Sequence, residues 1–253
     1  MASPRWKELY KYAACDLADG LLKLNVPGAG FLANIRKTHF IMILIIHSYG
    51  LEPMPHTASI PKPELNKVLA PASTFLMVPK ATKSFPNPIT LPADAPASNL
   101  PDSRPYADYA ESGTIVVISQ PPGQSCAVVG GIMAARMKHL DVHGLVVDGR
   151  VRDLVALNET QLPIWSRGTS VIGAGAETKF HAHNVPVHIG ETTIEAGDIV
   201  MIDPFENGAV AVPQGKVDEL LELLPKLVGA DERVIADVEA GVSVQEAFKR
   251  HRG

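Results

Sequence analysis

The stretch Leu145-Val146-Val147-Asp148-Gly149-Arg150-Val151-Arg152-Asp153 decides the fold class. It opens with three apolar residues, as is typical of a strand that is buried on both faces. A second apolar run covers residues 114–119, and residues 132–140 between the two runs have a helical pattern. Strand, helix and strand within about 35 residues predict a parallel βαβ unit, which is right-handed in nearly all known proteins.

The rest of the chain supports one α/β domain with a mixed sheet and terminal helices. Residues 5–24 repeat apolar side chains at helical spacing, and residues 68–79 have strand character. Short strands are predicted at residues 170–172, 185–189, 199–202 and 209–212. Helices are predicted at residues 217–224, 232–239 and 244–249, the last with Ser243 as its N-cap.

Composition excludes several classes of protein. The 253 residues carry a net charge of −4, so the chain has no electrostatic footprint for nucleic acid. The longest apolar run, residues 40–46, is far shorter than the roughly 18–20 residues that span a bilayer, so no membrane partner is expected. Two cysteines are too few for a disulfide framework, which favours a reducing, cytoplasmic location.

Residues 148–153 hold the densest group of functional residue types. They are expected just beyond a strand, where ligands of open α/β sheets bind. Gly130-Gly131 begins the predicted helix, whose free amides would open onto the same edge and bind an anion. Arg152 could fork a carboxylate and Asp153 could hold a metal. The alternative is that Asp148-Gly149 is an ordinary turn and that Arg152 and Asp153 form a solvated ion pair.

These motifs resemble the RraA-like family. The family includes 4-hydroxy-4-methyl-2-oxoglutarate aldolases, oxaloacetate decarboxylases, and a bacterial ribonuclease inhibitor that is not an enzyme. The resemblance rests first on the Asp-Gly-x-x-Arg-Asp motif at residues 148–153. It continues, in the family's order, through Cys15-Asp16-Leu-Ala-Asp19-Gly20, Leu69-Ala-Pro71-Ala72-Ser-Thr74, Pro163-Ile-Trp165-Ser-Arg167-Gly168, Asn184-Val-Pro186 and Gly208-Ala-Val-Ala-Val-Pro213.

The resemblance implies a swivelling β/β/α fold that assembles as a homotrimer or homohexamer, with the site near a subunit interface. Arg152 would bind the carboxylate and keto group of a small oxo-acid, and Asp153 would anchor Mg²⁺ or Mn²⁺. The backbone at Gly130, Gly131, Ile132 and Met133 would hold the same carboxylate. The implied activity is carbon–carbon cleavage, by retro-aldol reaction or by decarboxylation of oxaloacetate, through a metal-stabilised pyruvate enolate.

The sequence departs from the family's aldolases at two positions. Those enzymes commonly carry an acid where this chain has Gly131, and a lysine for which Lys179 or Glu177 is only an approximate counterpart. Residues 35–66 also fall outside the resemblance. They predict an insertion or a gene-model artefact, with one extra buried strand as the alternative.

Other residue groups support chemistry less well. His181 and His183 have the spacing of a metal pair but lack a third ligand, so a polar loop is the preferred interpretation. Ser166 and Cys126 have no recognisable base neighbour. A metal-dependent lyase is therefore the leading hypothesis. The alternatives are a non-catalytic oligomeric binding protein and an enzyme with different chemistry on an enolisable acid.

Overall fold

The computed structural model of the chain describes residues 3–38, 66–86 and 95–252. Eleven strands occur within these residues. They are β1 (Arg36–Lys37), β2 (Val68–Pro79), β3 (Ile115–Ser119), β4 (Ala127–Val129), β5 (Gly144–Val151), β6 (Ile164–Thr169), β7 (Thr178–His183), β8 (Val187–Ile189), β9 (Thr192–Ile194), β10 (Ile199–Asp203) and β11 (Gly208–Val212). The α-helices of the same residues are α1 (Ala14–Lys23), α2 (Gly131–His139), α3 (Leu154–Glu159), α4 (Val217–Glu239) and α5 (Val244–His251).

The strands form one large mixed sheet and a separate hairpin. The order of the large sheet is β1-β6-β5-β3-β2-β10-β11, with β4 paired to β5 and β7 paired to β2. The hairpin consists of β8 and β9. The central strands β2, β3, β5 and β6 are mutually parallel, whereas β10 and β11 are antiparallel to their neighbours. The predicted α/β class, with a mixed sheet and terminal helices, is confirmed.

The predicted βαβ unit is confirmed as β3, α2 and β5. β3 and β5 pair in parallel, with Val116 opposite Leu145. Both strands are buried on both faces: Val116 and Leu145 belong to a cluster with Met137 of α2, and Val117 belongs to a cluster with residues of the hairpin on the other face. Burial on both faces explains why their sequences are continuous apolar runs.

The terminal helices form a third layer. Helices α1 and α4 pack on β10 and β11 through buried apolar side chains, among them Leu17, Leu220 and Met201. α4 is one helix, so the prediction of two helices at residues 217–224 and 232–239 is wrong. Pro225 lies inside α4 without ending it, and the buried side of the helix continues beyond it to Val234. Packing therefore outweighs the hydrogen bond that proline removes.

Two other local predictions need correction. Residues 170–172 are not a strand, because β6 ends at Thr169 just before them. His181 and His183, expected in a polar loop, lie on β7 (Thr178–His183), which pairs with the long strand β2. Ser243 is the N-cap of α5, as predicted, and its hydroxyl accepts a hydrogen bond of 3.3 Å from the Glu246 N–H.

The predicted insertion at residues 35–66 falls mostly on residues 39–65, which lie outside the described part of the chain. At its start, Arg36 and Lys37 form β1, which pairs antiparallel with Ser166 and Trp165 of β6. The insertion remains a prediction. Among the described residues, no helix is both long enough and apolar enough to cross a membrane.

Candidate functional site

Strand β5 is longer than predicted and carries most of the candidate motif. Asp148, Gly149 and Arg150 lie within the strand rather than in a turn beyond it. The extension follows from its partners, because Asp148 pairs with Ser119 of β3 and Arg150 pairs with Ala127 of β4. The interpretation of Asp148-Gly149 as an ordinary turn is therefore wrong.

Asp153 links the end of β5 to the beginning of two helices. It precedes α3 in the left-handed conformation, at φ 61° and ψ 47°, which aspartate tolerates better than most residues. Its side chain does not cap α3. Instead, its Oδ2 accepts a hydrogen bond of 3.2 Å from the Gly131 N–H at the start of α2. The carboxylate thus lies at the positive end of the α2 dipole.

Gly130 and Gly131 leave room for this contact. A Cβ atom on Gly130 would lie 2.7 Å from Asp153 Oδ2, and one on Gly131 would lie 2.6 Å from the Cβ of Ala156 in α3. Both distances are too short for a side chain to fit without movement. The close packing of α2 on α3 therefore explains why glycine, and not an acid, occupies position 131.

Arg152 lies beside Asp153. Its Nε is 3.8 Å from Asp153 Oδ2, which is an ion-pair separation and not a hydrogen bond. Its backbone N–H donates to the Val129 carbonyl at 2.9 Å. Its guanidinium group passes over Gly173, where a Cβ atom would lie 3.5 Å from Cζ. The side chain is 43% exposed, so the guanidinium remains accessible to an anion.

The first turn of α2 completes an anion-binding arrangement. The N–H groups of Ile132 and Met133 have no acceptor within the helix, because the first turn of any helix lacks preceding carbonyls. Ile132 is 80% exposed, so these amides are close to the surface. Arg152, two free amides and the helix dipole together favour a carboxylate at this place.

Asp153 has the properties of a single-carboxylate metal ligand. Its side chain is 45% exposed, and within the described residues Oδ1 has no hydrogen-bond partner. The same part of the chain contains no group of three or more His, Cys, Asp or Glu residues that could hold a metal. Mg²⁺ often binds through one or two carboxylates, with water and substrate as its other ligands. The residues therefore fit Mg²⁺ or Mn²⁺ and do not fit a closed zinc site.

A second charged pair, missed by the sequence analysis, lies on the next strand. Arg167 of β6 donates a hydrogen bond from Nε to Oδ1 of Asp148, whose side chain is only 10% exposed. Burial raises the pKa of Asp148 above its usual value, and the guanidinium of Arg167 opposes that rise. An acid that directly follows a buried apolar run, with an arginine on the neighbouring strand, is the pattern that could have revealed the pair.

Most of the remaining sequence candidates have structural partners, but His183 Nδ1 is buried without a hydrogen-bond partner among the described residues. His181 Nε2 contacts the Pro96 carbonyl at 2.8 Å. The hydroxyls of Ser166 and Thr38 are hydrogen-bonded to each other at 2.9 Å. The pKa of the Cys126 thiol is raised to about 11, mainly by burial, so this residue is a poor nucleophile near neutral pH.

The two approximate counterparts of the family lysine make different contacts. Glu177 Oε2 accepts hydrogen bonds of 2.7 Å from the N–H groups of Ser125 and Cys126. Glu177 therefore holds the loop that leads into β4. Lys179 lies on β7, opposite Val78 of β2, and its side chain is exposed.

Comparison with known proteins identifies the family. The RraA-like family model, described as Aldolase/RraA, matches residues 44–211. The chain belongs to the RraA-like family. The match includes the whole of the βαβ unit, Arg152 and Asp153.

Two curated relatives have names that specify an activity. A Halalkalibacterium halodurans protein provisionally named 4-hydroxy-4-methyl-2-oxoglutarate aldolase is 32% identical over 51% of this chain and 61% of its own length. An Arabidopsis thaliana protein provisionally named 4-hydroxy-4-methyl-2-oxoglutarate aldolase 3 is 33% identical over 36% of this chain and 54% of its own length. The chain thus matches little more than half the length of these relatives.

Solved structures share the fold over nearly the whole chain. An uncharacterised Pseudomonas syringae protein superposes with a TM-score of 0.66 at 23% identity, over 98% of each chain. Streptomyces coelicolor RraAS2, described as an unusual member of the RNase ES inhibitor RraA family, gives a TM-score of 0.64 at 20% identity. That superposition covers 92% of this chain and 97% of RraAS2. Identities this low support the fold alone.

Proposed function

We propose that this RraA-like protein is a metal-dependent carbon–carbon lyase acting on a pyruvyl-containing oxo-acid. The observation that carries the proposal is the hydrogen bond between Asp153 and Gly131, which holds a half-exposed carboxylate and Arg152 against the first turn of α2. The relatives named as aldolases support the same class of reaction.

Each site residue has a role that follows from its chemistry. Arg152 binds the substrate carboxylate through its planar fork of donors, and the N–H groups of Ile132 and Met133 bind the same group. Asp153 would hold Mg²⁺ or Mn²⁺ through Oδ1. A bound divalent cation would stabilise the negative charge that develops on the keto oxygen as the carbon–carbon bond breaks.

The bond changes are the same for two types of substrate. In 4-hydroxy-4-methyl-2-oxoglutarate, the bond between C3 and C4 breaks, the C4 hydroxyl loses its proton, C3 of the resulting enolate gains a proton, and two molecules of pyruvate result. In oxaloacetate, the bond to the distal carboxylate breaks, carbon dioxide leaves, and protonation of the remaining enolate at its methylene carbon gives pyruvate. In both, Arg152 fixes the pyruvyl half while the electron pair moves toward the keto group.

Exposed apolar side chains around the site favour an interface between copies of the chain, and the family resemblance implies that the assembly is a homotrimer or homohexamer. Ile132 at the start of α2 is 80% exposed, Val155 in the first turn of α3 is 59% exposed, and Val171 is 91% exposed. Gly131, which precedes Ile132, packs closely against Ala156, which follows Val155. A second copy of the chain that covers these residues would also exclude water from Arg152 and Asp153.

The same exposed residues favour the alternative function, a non-catalytic oligomeric binding protein of the same fold. Turnover separates the two. Purified protein is assayed for pyruvate with oxaloacetate and with 4-hydroxy-4-methyl-2-oxoglutarate, with Mg²⁺, with Mn²⁺, and after treatment with a chelator. Metal-dependent pyruvate release from either substrate is expected. Release from neither, by protein that is folded and oligomeric, contradicts the lyase and favours the binding protein.

A further inference from the structure

A cavity of about 750 Å³ lies next to the hairpin, where β2, β3, β5 and β6 end. Its lining includes Asp148, Arg150 and Arg167 but none of Gly130, Gly131, Arg152 or Asp153. The volume is within the range of sites that hold ligands of drug-like size, and it is generous for a short oxo-acid. The cavity is thus a different space from the proposed catalytic site.

The charged part of the lining favours an anion. Arg167 donates from Nε to Asp148, and within the described residues its two terminal nitrogens make no other hydrogen bond. Arg150 donates from Nη1 to the Thr169 carbonyl at 3.0 Å, which leaves its remaining donors available. The lining therefore contains two guanidinium groups and one buried carboxylate, which is an excess of one positive charge among its own side chains.

A further carboxylate, that of Glu177, is hydrogen-bonded to the backbone next to the cavity but is not part of its lining. Glu177 Oε2 is held by the N–H groups of Ser125 and Cys126 at 2.7 Å each. Those two donors hold Oε2 against the backbone of the loop before β4.

The rest of the lining is largely apolar and held in place. Its apolar members include Leu76, Met77, Pro79, Pro121, Pro122 and Val187. Gln120 fixes the base, since its Nε2 donates to the Cys126 carbonyl at 2.8 Å and its Oε1 accepts from the Arg150 N–H at 3.0 Å. Proline-rich walls and a hydrogen-bonded base make a preformed site, which reduces the entropy lost on binding.

We propose that this cavity binds a small molecule with one carboxylate and a mainly apolar, ring-containing body. The carboxylate contacts the guanidinium groups of Arg150 and Arg167, and the apolar body lies against the leucine, methionine and proline side chains. This site is separate from Arg152 and Asp153, and its existence does not depend on the lyase activity.

Isothermal titration of the full chain with biphenyl-4-carboxylate tests the proposal. Biphenyl-4-carboxamide is the neutral control of nearly the same shape. We expect one molecule of biphenyl-4-carboxylate to bind per chain in a saturable way. Its Kd should be about tenfold lower than that of the carboxamide, or lower still, because the amide cannot form the ion-paired hydrogen bonds. No saturable binding, or equal binding of the two compounds, would overturn the proposal.

Three variants locate the binding site. Arg150→Gln should weaken the carboxylate about fivefold or more and leave the carboxamide unchanged, whereas Arg250→Gln, at a distant exposed arginine of α5, should change neither. Arg152→Ala should leave biphenyl-4-carboxylate binding unchanged. If Arg152→Ala abolishes binding while Arg150→Gln does not, the compound occupies the oxo-acid site and the separate cavity site is refuted.

Discussion

The Gly131 N–H donates a hydrogen bond of 3.2 Å to Oδ2 of Asp153, and so joins the first residue of α2 to the residue that precedes α3. The two helices approach so closely that a Cβ atom on Gly131 would lie 2.6 Å from the Cβ of Ala156. One contact therefore sets the position of the carboxylate, and the other sets the distance between the helices that carry the site.

The helix contact gives a prediction about stability. Gly131→Ala should destabilise the fold by about 1–3 kcal/mol, because the added methyl group overpacks the contact with Ala156. Removing the opposing methyl group should restore much of the lost stability. The double variant Gly131→Ala with Ala156→Gly should therefore be more stable than Gly131→Ala alone, although glycine has a lower helix propensity than alanine. Urea denaturation of the three proteins measures the effect. A double variant less stable than Gly131→Ala would contradict the packing explanation.

Arg152 gives a prediction about substrate binding. Arg152→Lys keeps the positive charge but loses the planar fork, so KM for the oxo-acid should rise although the substitution looks conservative. Arg152→Ala should lower kcat/KM further. The stability of both variants should be near that of the wild type, because the side chain is 43% exposed and its contact with Asp153 is an ion pair of 3.8 Å, with no side-chain hydrogen bond to the described residues. Unchanged KM in Arg152→Lys would show that the guanidinium does not fork the carboxylate.

The buried pair of Asp148 and Arg167 gives a prediction about pH. Burial raises the pKa of Asp148 in the folded state above the ordinary 3.8 of the unfolded state. Between the unfolded-state pKa and the higher folded-state pKa, the folded state therefore binds more protons than the unfolded state. Stability from this residue should therefore fall as pH rises through that interval. Asp148→Asn does not titrate and serves as the reference.

The free energy of unfolding is measured for wild type and for Asp148→Asn by urea denaturation at several pH values from pH 4 upward, and the second value is subtracted from the first. Only pH values at which both proteins unfold in a two-state manner are compared. The difference should become more favourable to wild type as pH falls toward about 4. A difference that moves in the opposite direction would mean that Arg167 outweighs burial and lowers the pKa of Asp148.

The central fold could be predicted from the sequence because its strands are buried on both faces. The runs that became β3 and β5 are continuously apolar, and the glycines before α2 mark its beginning. β7 could not be predicted in this way. Its sequence, Thr-Lys-Phe-His-Ala-His, is mostly polar. It forms a strand because it pairs with β2, which lies about 100 residues earlier in the sequence.

The site shows the same division. The expectation that Gly131 and Asp153 lie at one edge of the sheet follows from the topology of a βαβ unit. The reason for glycine at position 131 does not, since it depends on the contact with Ala156 of a later helix. The sequence predicts that Asp148 lies just beyond the strand, with an Asp-Gly turn as the alternative. Only the pairing of β5 with its neighbours extends the strand through this residue.

Asp153→Asn tests the central claim most directly. Asparagine also tolerates the left-handed backbone, and its amide oxygen can still accept the Gly131 N–H, so the fold and thermal stability should be retained. The variant loses the negative charge that would hold the cation. Pyruvate release is measured for wild type and variant across a Mg²⁺ titration, after equal thermal stability has been confirmed. The account predicts that metal-dependent turnover falls about 10²–10³-fold; turnover near that of the wild type at limiting Mg²⁺ would contradict it.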